Sequence, residues 1–117
     1  MKENKLAELS MDFAMAIIEL VKNLKSKKES IISNQIGRSG TSIGANIREA
    51  NYAHSKADFI AKLQIALKEA NETGYWLELL YKTNYLVNTE FNKLDKLCAE
   101  IRVVLIKSIN TTKGNNG

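Results

Sequence analysis

The apolar residues in the first part of the chain repeat at the spacing of an α-helix. Successive apolar positions are three or four residues apart, whereas the charged Glu8, Asp12, Glu19 and Lys22 lie between them. This pattern predicts a helix over residues 4–25, and its apolar face consists of Leu6, Leu9, Phe13, Ile17, Leu20 and Leu24. So narrow a face is typical of a helix that packs along the seam of a bundle.

Three further segments repeat apolar residues with a helical period. They predict helices over residues 30–53, 56–85 and 90–109, separated by short polar segments. The polar segment of residues 26–30, Ser-Lys-Lys-Glu-Ser, is expected to cap the second helix. Ser55, with Asp58 three residues later, is expected to cap the third. Asn88 or Thr89 is the expected cap of the fourth.

The middle of the second predicted helix is rich in glycine. Gly37, Gly40 and Gly44 lie there, and each glycine inside a helix costs about 1 kcal/mol relative to alanine. Apolar spacing nevertheless continues through the segment, in the series Ile32, Ile36, Ile43, Ile47 and Ala50. We therefore predict a helix here, with a loop as the alternative.

The four predicted helices fit one compact arrangement. The chain has 117 residues, the size of a single domain, and it contains no proline. Short connections between long helices favour antiparallel neighbours. The sequence therefore predicts an all-α, up-down-up-down antiparallel four-helix bundle over residues 1–117. A flexible polar tail is expected from about residue 111.

A polar strip interrupts the apolar faces of the second and third helices. In an antiparallel hairpin that turns near His54 and Ser55, the numbers of facing residues sum to about 110. Arg38 is then expected to form a bidentate pair with Glu72, and Glu49 to approach Lys62. The predicted layer between the two helices consists of Arg38, Ser42, Asn46, Glu49, Lys62, Glu69 and Glu72. It can set the register of the helices, form a ligand or partner site, or be solvated surface.

The formal net charge of +4 is mildly basic and suits an acidic partner. In the predicted topology, one end of the bundle collects lysines that could contact phosphates: Lys22, Lys25, Lys27, Lys28, Lys82, Lys93 and Lys96. Acidic residues share that end, namely Glu29, Glu78, Glu90 and Asp95. A solvated surface of mixed charge is therefore the alternative to a phosphate-binding one.

The sequence offers no constellation of catalytic or metal-binding residues. His54 is the single histidine and lies at a turn, and Cys98 is the single cysteine, on an apolar helix face where a buried thiol is expected. No Glu-x-x-His pair and no phosphate loop ending in Gly-Lys-Ser/Thr occurs. We expect no enzymatic activity, metal or cofactor. The absence of a signal-peptide core or a long apolar run predicts a cytoplasmic protein without membrane contact.

Two segments resemble a known family. Residues 34–50, NQIGRSGTSIGANIREA, and residues 58–73, DFIAKLQIALKEANET, followed by Tyr75, Trp76 and Leu77, resemble proteins encoded in intervening sequences of bacterial 23S ribosomal RNA genes. Gly37 departs slightly from the family pattern, which often has a larger residue there. The resemblance implies a four-helix bundle, a ring-like homopentamer and no enzymatic activity. It also implies kinship with accessory variability proteins of diversity-generating retroelements, which bind nucleic acid and a reverse transcriptase.

Together these features predict a non-enzymatic homo-oligomeric module. Its expected partners are other copies of itself and RNA or DNA, or a nucleic-acid-binding protein. The alternative is a structural or adaptor oligomer that binds no nucleic acid.

Overall fold

Four long helices account for nearly all of the described chain. The computed structural model describes the backbone of residues 2–114 and the side chains of residues 5–114. The helices are α1 (Lys2–Ser26), α2 (Ile31–Asn51), α3 (Lys56–Lys82) and α4 (Asn88–Thr112). No strand occurs between residues 2 and 114. The predicted all-α four-helix bundle is confirmed.

The helices form a closed, antiparallel square. α1 packs on α2, α2 on α3, α3 on α4, and α4 returns to α1 with the smallest contact of the four. Short connections reverse the chain after each helix, as the up-down-up-down topology requires. The bundle measures 45 × 25 × 21 Å. Its long dimension matches helices of 21 to 27 residues at about 1.5 Å per residue.

The interior is built from one apolar face of each helix. In α1 and α2 the buried apolar side chains are those of the predicted faces, with Leu9 and Ile32 only partly buried. For α3 the apolar spacing predicts a face of Ile60, Leu63, Leu67, Ala70, Gly74, Leu77 and Tyr81, widened by Phe59, Ala66, Trp76 and Leu80. Leu63, Ala70 and Leu77 are buried as predicted, and the other buried residues lie to one side of that face. Ala66, Thr73 and Leu80 are buried, whereas Leu67 and Gly74 are partly buried and Tyr81 is 36% exposed. The apolar surface of α3 is broad, so spacing alone placed its centre one residue too far along.

The glycine-rich middle of α2 is helical, which confirms the prediction and excludes the loop. Its glycines face α1 at very short range. A Cβ atom on Gly40 would lie 2.9 Å from Cγ2 of Ile17, and one on Gly44 would lie 3.3 Å from Oγ of Ser10. Gly37 leaves 3.4 Å to Cγ2 of Val21. The loss of helix propensity at these positions is offset by close packing of α1 against the α2 backbone.

The helix caps match the predictions only in part. Ser55 caps α3, because its hydroxyl accepts a hydrogen bond from the Asp58 amide at 3.0 Å. The segment of residues 26–30 caps α2 as predicted, through Glu29 and not through Ser30, whose side chain makes no cap bond. The Glu29 carboxylate accepts from the amides of Ile31, Ile32 and Ser33 at 2.8–3.1 Å. A carboxylate there also suits the positive end of the helix dipole.

The boundaries of the last two helices differ from the predictions. α3 ends at Lys82, three residues before the predicted end, and Asn84 adopts a positive φ of 69° in the turn that follows. Val87 occupies the N-cap position of α4 without a side-chain bond, so Asn88 and Thr89 are wrong as caps. α4 continues to Thr112, and residues 111–112 are therefore helix instead of tail. Residues 115–117 of the predicted tail lie outside the described residues.

Candidate functional site

Arg38 joins α2 to two carboxylates of α3. Its Nη2 donates to Oε2 of Glu72, and its Nη1 donates to Oε1 of Glu69 at 3.3 Å. The predicted partner is therefore correct, but the bidentate geometry is wrong because the guanidinium is shared between two glutamates. Glu72 and Glu69 are three residues apart on α3, so both carboxylates reach the same guanidinium. The Arg38 side chain remains 51% exposed, which makes this a surface network and not a buried layer.

The second predicted ion pair is also present. Nζ of Lys62 lies 3.2 Å from Oε1 of Glu49, with the lysine side chain 31% and the glutamate side chain 62% exposed. The two pairs lie about three helical turns apart along α2 and obey the same facing register. Opposite charges at both places favour this alignment of α2 and α3 over alignments in which one helix is shifted along the other.

Two members of the predicted polar layer do not bridge the helices. The Ser42 hydroxyl donates to the backbone carbonyl of Arg38 at 2.7 Å, and the Asn46 amide donates to the carbonyl of Ser42 at 2.9 Å. Short polar side chains in a helix commonly satisfy themselves on the preceding turn in this way. The prediction that α3 supplies their partners is therefore wrong.

A buried hydroxyl pair lies beside the exposed network. Oγ1 of Thr73 lies 2.8 Å from Oγ of Ser39 and 2.8 Å from the carbonyl oxygen of Glu69, and both residues are fully buried. The numbers of Ser39 and Thr73 sum to 112, close to the value of about 110 expected for facing residues, so the sequence already placed the two residues near each other. Their contact is a buried link between side chains of α2 and α3.

Aromatic side chains border the Arg38 network on α3. Nε1 of Trp76 donates to Oε2 of Glu72 at 3.0 Å, and the ring of Tyr75 meets Trp76 edge to face at 5.0 Å. Tyr75 is 59% exposed and Trp76 is partly buried. The α2–α3 surface thus combines a guanidinium, two carboxylates and two aromatic rings.

The topology gathers seven lysines at one end of the bundle, which we call the basic end. The Nζ–Oδ1 bond of 2.7 Å from Lys25 to Asn34 joins the end of α1 to the start of α2. The stacked rings of Tyr81 and Phe91 join the end of α3 to the start of α4. The basic end therefore carries Lys22, Lys25, Lys27, Lys28, Lys82, Lys93 and Lys96.

Acidic residues neutralise only part of the basic end. Lys22 approaches Glu19 at 3.4 Å and Lys82 approaches Glu78 at 3.9 Å, both on exposed helix surface. The other five lysines form no ion pair with a carboxylate of residues 5–114. Glu29 is 8% exposed, because its carboxylate points inward to cap α2. One of the four acidic residues expected to share this end is thus removed from its surface.

A family model for the 23S rRNA-intervening sequence protein matches residues 2–107. The chain belongs to this family. The match includes all of α1, α2 and α3 and the start of α4, and it therefore covers the Arg38 network and seven of the eight helix ends.

A solved structure is similar to this family member over nearly its whole length. A protein of unknown function from the S23 ribosomal protein family of Bacteroides thetaiotaomicron VPI-5482 is 52% identical. The similarity covers 94% of this chain and 99% of that one, with a TM-score of 0.91. No curated protein matches this chain. The comparisons therefore establish family and fold and name no catalytic activity.

The side chains most often used in catalysis are isolated within the described part of this family member. The Cys98 thiol is fully buried and lies 3.3 Å from the Ala70 carbonyl oxygen, and burial raises its pKa to about 11. The predicted buried thiol is confirmed. His54 is exposed at the α2–α3 turn. Among the residues that the structure describes, no three His, Cys, Asp or Glu side chains could hold a metal, and no helix could cross a membrane.

Exposed apolar side chains form a row on α1. Met11, Met15 and Ile18 are spaced four and three residues apart, and they are 50%, 61% and 43% exposed. Met11 also lines a groove between α1 and α2, together with small residues such as Ala14, Gly44 and Ala45. Exposed apolar side chains in one row are typical of a protein–protein contact.

Proposed function

We propose that this family member is a non-enzymatic homo-oligomeric module that binds RNA, or an RNA–protein complex, through its basic end. The module acts in the reducing cytoplasm, because its single cysteine cannot form an intramolecular disulfide. Homo-oligomerisation and RNA contact use different surfaces in this proposal. The apolar row on α1 serves the subunit contact, and the basic end serves the phosphates.

The convergence of three helix ends on one surface carries the nucleic-acid proposal. Lysines near the end of α1, at the end of α3 and near the start of α4 come from distant parts of the sequence. Five of them have no carboxylate partner among residues 5–114, and the carboxylate of Glu29 is engaged by the α2 amides instead of by a lysine. Lysine ammonium groups bind phosphate oxygens mainly as point charges, without reading base sequence.

Binding to single-stranded RNA over a salt series tests this proposal. We expect affinity to fall steeply with salt, with a slope in the log–log plot of about −0.7 for each phosphate neutralised. Lys93→Gln/Lys96→Gln should make the slope shallower. The matched control, Lys56→Gln/Lys113→Gln, removes two charges from the opposite end and should leave it unchanged. Binding that ignores salt, or equal effects of both double variants, would contradict the proposal.

The row of Met11, Met15 and Ile18 supports the homo-oligomer. Three large apolar side chains in one line lose water contact if a second copy covers them, at about 25 cal/mol per Å² of apolar area. Family resemblance gives the expected size, a ring of five. Light scattering of the purified chain should therefore report five times the mass of 13.1 kDa.

Met15→Asp tests the subunit contact. A carboxylate in a covered apolar interface is costly to bury, so we expect dissociation into folded monomers. Asp12→Asn is the matched control on the same helix and should leave the mass unchanged. A monomeric unaltered protein, or a Met15→Asp variant that keeps its mass, would be evidence against this interface.

The mixed charge of the basic end favours the second candidate, an adaptor oligomer without nucleic-acid binding. Lys22 and Lys82 are already close to Glu19 and Glu78, and Glu90 and Asp95 lie on the first turns of α4. An oligomer of the expected mass with no salt-sensitive RNA binding would favour this candidate over the first.

A further inference from the structure

The two ends of the bundle are closed differently. At the basic end, the α3–α4 connection places Leu86 over the core, where it is 3% exposed. At the opposite end, the α2–α3 connection supplies no such cover, since Tyr52 is 80% exposed and His54 is exposed as well. A cavity of about 540 Å³ opens there between the starts of α1 and α3 and the ends of α2 and α4. Its volume lies within the range of small-molecule sites, about 300–1,000 Å³.

The floor of this cavity is apolar. It includes Leu6, Ile47 and Leu63, which are 5%, 1% and 1% exposed, together with the partly buried Phe59 and Val104. These side chains belong to the core of the bundle, so they are held rigidly by their neighbours. An aliphatic chain placed on them would leave water without requiring the helices to move.

The rim of the cavity is polar and positive. Lys5 of α1 and Lys107 of α4 lie on it, and neither forms an ion pair with a carboxylate of residues 5–114. Asn51, Ser108, Thr111 and Thr112 add an amide and three hydroxyl groups to the lining. An anionic group at the mouth would meet two cationic side chains and up to four uncharged hydrogen-bonding ones.

We propose that this cavity binds an amphiphilic carboxylate, with its aliphatic chain on the apolar floor and its carboxylate between Lys5 and Lys107. The cavity has the same two parts as such a ligand, because its buried lining is apolar and its two lysines, Lys5 and Lys107, are exposed. The floor holds one aromatic ring, that of Phe59, so it lacks the pair of rings that would sandwich a nucleobase. This site is separate from the basic end and does not depend on RNA binding.

Calorimetric titration of the full chain with sodium decanoate tests the site. We expect saturable binding, and we expect Lys107→Gln to weaken it about fivefold, the equivalent of about 1 kcal/mol for one exposed charge. Lys5→Gln/Lys107→Gln should weaken it further. Lys93→Gln removes the same charge from α4 at the basic end and should have no effect. All these lysines are exposed, so the variants should remain folded.

Three further measurements distinguish the alternatives. Val104→Trp should fill the cavity and abolish binding, with an unchanged helical circular dichroism spectrum as the check of folding. Decanol tests the role of the anion and should bind at least fivefold more weakly than decanoate. Phosphatidylglycerol vesicles test whether the site instead recognises anionic lipid in a membrane. Absence of decanoate binding, insensitivity to Lys5 and Lys107, or binding to vesicles alone would overturn the proposal.

Discussion

The two sides of α2 recognise their neighbours by different physical means. Toward α1, the helix presents Gly37, Gly40 and Gly44, and the contact is one of shape at distances down to 2.9 Å from an added Cβ. Toward α3, it presents Arg38, Ser39 and Glu49, and the contact includes ion pairs and a buried hydroxyl bond. One helix therefore combines a close apolar contact with a polar one.

The α1–α2 contact contributes mainly packing energy, whereas the α2–α3 contact also sets the alignment of its two helices. The α1–α2 contact depends on van der Waals packing, which salt does not screen and which any added volume disrupts. The α2–α3 contact adds groups whose partners must lie opposite one another. Half-exposed ion pairs contribute little energy but penalise a shifted alignment, whereas a buried hydroxyl pair contributes both. Four substitutions, compared at one protein concentration, can test this division.

Gly40→Val should have the largest effect. The added side chain meets Ile17, which is fully buried and cannot move aside, so we expect a loss of about 3 kcal/mol in the free energy of unfolding. Chemical denaturation measures it. Gly37→Ala is the control, because its Cβ would make an ordinary contact at 3.4 Å with Val21. It should stabilise α2 by up to about 1 kcal/mol. Equal effects at the two glycines would show that α1–α2 packing is not close.

Thr73→Val should be the most damaging change on the α3 side. It keeps the shape of the side chain but leaves the buried Ser39 hydroxyl without its partner, so we expect a loss of about 2 kcal/mol. The Ser39→Ala/Thr73→Val double variant should cost no more than Thr73→Val alone, because both buried hydroxyls are then gone. Additive losses in the double-mutant cycle would mean that the two hydroxyls act independently.

Arg38→Met should have a smaller effect that depends on salt. It removes the ion pairs of Arg38 with Glu69 and Glu72. Because the arginine side chain is 51% exposed, we expect a loss of about 1 kcal/mol in the free energy of unfolding at low salt. Most of that difference should disappear at about 1 M NaCl, where the Debye length is about 3 Å. Gly40→Val, measured in parallel, should keep its full effect. A salt-independent loss from Arg38→Met would indicate that the arginine acts through packing of its aliphatic part.

Lys62→Met should have the smallest effect. The Glu49–Lys62 pair is single, and its glutamate side chain is 62% exposed, so we expect a change below about 0.5 kcal/mol. Thermal unfolding at low salt provides the measurement. If Lys62→Met lost as much unfolding free energy as Arg38→Met, then the arginine shared by two glutamates would be no stronger than a single surface ion pair.

The correct predictions from sequence share one cause. Helix existence, topology and the pairs Arg38–Glu72 and Glu49–Lys62 all follow from periodic patterns, and a period accumulates over many residues. The helix caps were predicted less well. Ser55 was correct for α3, but Val87 occupies the N-cap position of α4, and the segment 26–30 did not specify that Glu29 is the residue that caps α2. A cap depends on which nearby side chain reaches the free amides, and this choice is made locally by the path of the turn.

The sequence by itself determined the four amphipathic helices, the antiparallel order and the alignment of α2 with α3, because these follow from spacing along the chain. Only the tertiary structure decided how Arg38 divides between Glu69 and Glu72, why α2 tolerates glycine against Ile17, and at which end of the bundle the cavity lies. These properties arise between residues far apart in sequence. They depend on differences of a few tenths of an ångström in interatomic distances, which no pattern of residue types specifies.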